Sequence, residues 1–244
     1  MASAGAAELL LGGIVALGAS VQWLTGMGFA LIAVPALVLV LGPAQGVVLA
    51  NCAAGVISIA GLATGWRRVR IGAMIPLVMA SACTVPAGSW VAARVPEPVL
   101  LAGVGILVTV AVAFVMGGLR ISALTGTRGA VTAGAVGGFM NSAAGVGGPP
   151  YSLYAVNAGW QVSEFVPNAQ FYGIIVNVFS VASNGAPQLS GTAWSVAGAA
   201  MVAGALVGRV LAPRVPEQWV RRLIFALALT GGVSVLVKGL QGMR

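Results

Sequence analysis

Histidine is absent from this chain, and its 244 residues carry only four acids, Glu8, Glu97, Glu164 and Glu217. Without an imidazole, a Ser or Cys nucleophile lacks its usual general base. Four scattered acids and two cysteines supply no ligand cluster for a metal. The chain therefore reads as a non-enzyme that needs no metal and no cofactor. Cys52 and Cys83 both lie inside apolar runs and read as small buried hydrophobes. Charge of either sign is scarce, at 7% of residues, where a soluble domain carries about 25%. That is too little to cover a soluble surface, so the chain is expected to be an integral membrane protein. The net charge of +8 does not indicate nucleic acid. The basic residues punctuate the ends of apolar runs, where membrane topology puts them. Residues 1–7 lack the basic region of a cleavable signal, so the first apolar segment is expected to be kept.

Hydrophobic residues make up 59% of the chain. A membrane-spanning helix needs about 20 of them in a row. Six runs fit: 45–65, 71–92, 98–118, 163–184, 192–212 and 217–237. Two longer stretches, 8–41 and 129–158, each hold a glycine-rich break. The first break is Gln22-Trp23-Leu24-Thr25-Gly26-Met27-Gly28-Phe29, and the second runs from Asn141 to Pro150. Non-helical backbone at membrane depth is tolerated only where it is buried in protein or lines a wet cavity. Matched broken segments in two halves mark a transporter's substrate site.

The halves resemble each other. Ala93-Arg94-Val95-Pro96-Glu97 recurs as Pro213-Arg214-Val215-Pro216-Glu217, displaced by 120 positions. Gly26-Met27-Gly28 falls on Gly145-Val146-Gly147, and Ala50-Asn51 on Ala169-Gln170, both displaced by 119. The expected fold is all-α: one membrane domain over 1–244 built from two repeats, 8–118 and 129–237. Each repeat is a glycine-broken segment, re-entrant or a half-helix, plus three spans. If the broken segments dip in and return, the second repeat is inverted. Arg67, Arg68, Arg70, Arg120, Arg128, Arg209, Arg214, Arg221 and Arg222 then share one side against Arg94, Lys238 and Arg244, nine to three. Single crossings give at best seven to five. The positive-inside rule therefore favours inverted repeats with both termini outside.

Each break ends one helix and starts another. The starting helix exposes backbone N–H groups that it cannot pair itself, and its dipole adds positive potential. Both favour an anion at the turn, and glycine allows close approach. The candidate binding residues of the first half are Gln22, Thr25, Gly26, Met27 and Gly28. Those of the second are Asn141, Ser142, Gly145, Gly147, Gly148 and Tyr151. Asn51 and Gln170, on the following spans, read equally as anion donors or as ties between helices. Two opposed N-termini are expected to hold one small oxyanion. An interior-negative potential favours export of a monoanion by about 2.3 kcal/mol per 100 mV, roughly fiftyfold, so export needs no coupling ion.

Gly26-Met27-Gly28-Phe29 through Val34-Pro35, repeated as Gly145-Val146-Gly147-Gly148-Pro149, resembles the TauE/SafE family, also grouped as the TSUP permeases. The resemblance implies a multi-pass transporter of the inner cell membrane that exports sulfite, sulfoacetate or a related organosulfonate by alternating access. A passive anion channel, or an importer of sulfur oxyanions or small organic acids, is the alternative reading. The implied partners are a small anion and the lipid bilayer, with no nucleic acid; a homo-oligomer is left open. The chain departs from the family pattern in its shorter first glycine run and in Leu153-Tyr154, where Val-Pro is usual.

Overall fold

The computed structural model describes residues 2–26, 28–63, 65–117, 124–211, 214 and 217–243. Every regular element among them is helical. The elements are α1 (Ala2–Thr25), α2 (Phe29–Leu41), α3 (Pro43–Leu62), α4 (Ile71–Arg94), α5 (Glu97–Gly117), α6 (Gly126–Ala144), α7 (Gly148–Asn157), α8 (Val162–Asn184), α9 (Gly191–Leu211) and α10 (Glu217–Gly242). A short 3-10 turn, Trp66–Arg68, precedes α4. Local signals set several starts. Pro43 opens α3 and Pro149 opens α7, where a missing N–H does no harm. Gln161 and Glu164 form a capping box on α8.

Among the described residues, seven helices are long and apolar enough to cross a membrane: α1, α3, α4, α5, α8, α9 and α10. α6 has 19 residues but is rich in Gly and Ala, and it lies along α4. The broken segments are thus unequal pairs. A 24-residue helix is joined to one of 13 in the first half, and a 19-residue helix to one of 10 in the second. At 1.5 Å per residue, α2 and α7 reach only about 20 and 15 Å, well short of a span.

Both broken segments fold back on themselves. Gly18 of α1 lies against Phe29 and Ala33 of α2. The start of α1 and the start of α3 meet the same connection, through Thr192 Oγ1 to Glu8 Oε1 (2.7 Å) and Gln188 N to Gln45 Oε1 (2.7 Å). This is the first end of the bundle, and Lys238 joins it by donating to the Leu39 carbonyl at 3.3 Å. At the second end, Thr125 and Gly126 before α6 share a basin with Asn157 and Ala158 after α7, beside Arg70. Each broken segment leaves by the end through which it entered.

The largest interfaces join elements from different halves: α4 with α6, α1 with α9, α5 with α10 and α3 with α8. Small residues allow them. Gly134 and Gly138 of α6 sit on the backbone of Leu77 and Ser81, while Gly204 and Gly208 of α9 sit on the backbone of Ala16 and Ser20. Lipid offers no hydrophobic gain between helices, so backbones brought close by glycine, with serine bridges, supply the packing. Ser81 donates to the Gly134 carbonyl and Ser20 to the Gly204 carbonyl, both at 2.8 Å. The registers fix direction: α1 runs parallel to α9 and α4 to α6. α3 runs antiparallel to α8, with Gly61 beside Gln170 and Gly55 beside Asn177, and α5 runs antiparallel to α10.

Exposed tryptophans paired with arginine mark the ends: Trp90 with Arg94, Trp66 with Arg67 and Trp219 with Arg222. This is the pattern of interfacial aromatic belts. Cys83 departs from the expected burial. It is exposed on the outer face of α4, while Cys52 is half-buried, and both are free. An apolar membrane surface accepts a thiol as readily as a core does. The recurrence at 213–217 falls partly outside the described residues.

Candidate functional site

The two breaks open onto one cavity of about 110 Å³. It is lined by Gln22, Gly26, Gly28, Phe29, Ala30 and Leu31 from the first broken segment, and by Asn141, Val146, Gly147, Gly148, Pro149 and Ser152 from the second. α3 adds Ala54 and Ser58; α8 adds Ala169, Tyr172, Gly173, Val176 and Asn177. By this measure the space holds several waters, and so one small oxyanion. No acidic or basic side chain is among the lining residues.

The two halves build its polar walls in the same way. Gln22 and Asn141 stand 119 positions apart, and so do Ser58 and Asn177. Gln22 Nε2 donates to Ser58 Oγ at 2.9 Å, and Asn141 Nδ2 donates to Asn177 Oδ1 at 3.1 Å. In each half the amide before the break fills an acceptor on the next span. Ser58 and Asn177 themselves line the cavity. Gln22 also donates to the Ala54 carbonyl at 3.1 Å, and Asn141 to Ser180 Oγ at 2.9 Å, so neither donor side chain is free to swing.

The breaks match in shape but not in donors. Gly26 and Gly145 take left-handed backbone, φ 77° and 71°, and each N–H returns 2.8 Å to a carbonyl four residues back, Gln22 and Asn141. After the first break Gly28 carries no side-chain cap. The first-turn N–H groups of α2 have no partner within their own helix, and they lie at the cavity wall. After the second break Pro149 and Pro150 have no N–H, and the Gly147 N–H is taken by Asn141 Oδ1 at 3.2 Å. The two breaks therefore differ in the backbone donors they offer. The first half supplies the helix N-terminus, and the second supplies chiefly side-chain donors.

Of the residues singled out in the sequence, Gln22, Gly26, Gly28, Asn141, Gly147 and Gly148 line the cavity. Thr25, Asn51, Ser142, Gly145, Tyr151 and Gln170 are not among the lining residues. Met27 lies outside the described residues. Thr25 Oγ1 donates to the Val21 carbonyl, and Ser142 Oγ to the Val85 carbonyl on α4. Tyr151 is fully buried, stacks on Tyr172 at 5.3 Å and donates to the Phe165 carbonyl at 3.1 Å. Asn51 donates to the Asn141 carbonyl at 3.2 Å. Ser58, Ser152 and Tyr172 were not foreseen. The 119-residue displacement that pairs Gln22 with Asn141 also pairs Ser58 with Asn177, and would have found Ser58.

A family model described as "Sulfite exporter TauE/SafE" matches residues 10–235. Comparison with curated proteins and with solved structures finds no match.

Proposed function

Because the chain belongs to the TauE/SafE family of sulfite exporters, we propose that it carries a small sulfur-containing oxyanion out of the cell by alternating access. The observation that carries this reading is the cavity in which both broken segments meet, with its oriented neutral donors. The N-terminus of α2 and the hydroxyl and amide protons of Ser58 and Asn177 suit the oxygens of sulfite or of a sulfonate. Only side chains of no formal charge surround it, so the hold is weak enough for release, as transport requires. We further infer that the halves are inverted repeats. Equivalent helices α3 and α8 run in opposite directions, as do α5 and α10. The second end, with Arg67, Arg68 and Arg70, then faces the cytoplasm of the inner membrane.

Membrane potential then supplies the drive, because an anion leaving an interior-negative cell moves down the field. Glu164, the acid nearest the second break, caps α8 and pairs with Arg70 at 3.5 Å. It is not among the described residues that line the cavity.

Flux in proteoliposomes tests the mechanism. Vesicles loaded with unlabelled sulfite should take up labelled sulfite by counterflow, with saturation and without unitary conductance steps in a planar bilayer. Unitary conductance to sulfite would overturn the carrier reading in favour of a passive channel.

A further inference from the structure

The symmetry of the two halves fails at one pair of side chains. Asn51 and Gln170 are equivalent, 119 positions apart on α3 and α8, and both are almost wholly buried. Asn51 reaches across to the other half and donates to the Asn141 carbonyl at the last turn of α6. The equivalent carbonyl in the first half is that of Gln22, at the last turn of α1. Among the described residues no hydrogen bond joins Gln170 to it. Gln170 instead lies along Gly61, where a Cβ would stand 2.9 Å from its Nε2, and its Oε1 is buried without a partner. A buried, unpaired amide oxygen is costly in a membrane interior and calls for an explanation.

The two amides lie towards opposite ends of the cavity. The Asn51–Asn141 bond lies on its first-end side. Beyond that bond a separate pocket, lined by Val47, Ala92, Ser142, Ala143 and Asn184, sits at the first end. Asn184 reinforces the partition by donating to the Ser142 carbonyl at 3.0 Å. On the second-end side, Ala169 and Gly26 belong to the cavity wall itself. A bonded latch thus lies on the first-end side of the cavity and an unbonded one on its second-end side.

We propose that Asn51 and Gln170 are alternating latches and not ligands. Asn51 holds the first end shut in the conformation described here. When the cavity faces the first end, Asn51 lets go and Gln170 leaves Gly61 to take the Gln22 carbonyl. In a carrier of two oppositely directed repeats, the second state arises as the repeats exchange roles. The proposal rests on the alternating-access reading but not on the identity of the anion.

The test uses the full-length protein in oriented vesicles, with Cys52 and Cys83 replaced by Ser and no anion substrate added. One reporter is Ala30→Cys in the cavity; the other is Ala143→Cys in the first-end pocket. A membrane-impermeant maleimide is applied from each side. Asn51→Ala should slow labelling at position 30 and speed it at position 143 by roughly fivefold, the weight of one hydrogen bond. Adding Gln170→Ala to that background should return both rates towards their starting values. Gly61→Ala, which displaces the Gln170 amide from its resting place, should reproduce the Asn51→Ala pattern and covers the case in which Asn51→Ala does not fold. Unchanged rates in folded Asn51→Ala or Gly61→Ala protein, or a second substitution that pushes the rates further the same way, would overturn the latches. Sulfite plays no part in the labelling, so a protein that binds no sulfite but still labels in this pattern would sink the proposed substrate and leave the latches standing.

Discussion

At the scale of single residues, the site depends on side chains that orient other side chains. Asn141 occupies the Oδ1 of Asn177 and Gln22 the Oγ of Ser58, and both acceptors belong to residues that line the cavity. Asn141→Ala should cost the anion about 1–2 kcal/mol of binding, roughly fivefold to thirtyfold in Kd, measured by calorimetric titration of sulfite. An unchanged Kd would mean that Asn177 is oriented without it. This orientation was half legible. The polar residues beside the breaks stand out against an apolar background. Their partners lie two helices later, and Ser58 emerges only when the same displacement is applied to every polar position. The prolines were also legible in principle, since Pro149 and Pro150 cannot donate; reading them only as helix starters hid the inequality of the two breaks.

At the scale of the elements, stability resides in glycine interfaces between halves. A Cβ at Gly134 would stand 2.1 Å from the Leu77 carbonyl oxygen, a backbone atom that cannot move aside. Gly134→Val should therefore force α6 off α4 and destabilise the protein by about 1–3 kcal/mol or more. Gly198→Ala is the control, because its added Cβ meets nothing within 4 Å. It should be neutral or slightly stabilising, by about 0.5–1 kcal/mol, as glycine is a poor helix former. Thermal unfolding in detergent reads both. The element boundaries followed well from the sequence because apolar runs end at Arg, Pro and Gly. The pairing of α1 with α9 and of α4 with α6 did not. It depends on small residues spaced along a face, and most apolar membrane helices carry enough Gly and Ala to suggest several such faces.

At the scale of the molecule, two glycine breaks far apart in sequence meet because each short helix doubles back and α3 and α8 lie antiparallel between them. Arg67, Arg68 and Arg70 lie at the second end, where α3 stops and α8 starts. The uneven arginine count of the sequence, nine against three for a dip that returns, supports the inverted-repeat reading proposed above. The central claim is that the two breaks form a single anion site, and sulfite titration of the purified, folded protein tests it most directly. The account predicts one saturable site in the unsubstituted chain. Either Gly28→Leu or Gly147→Leu should abolish it, each from its own half, with helical content retained. Saturable sulfite binding that survives both substitutions would contradict it.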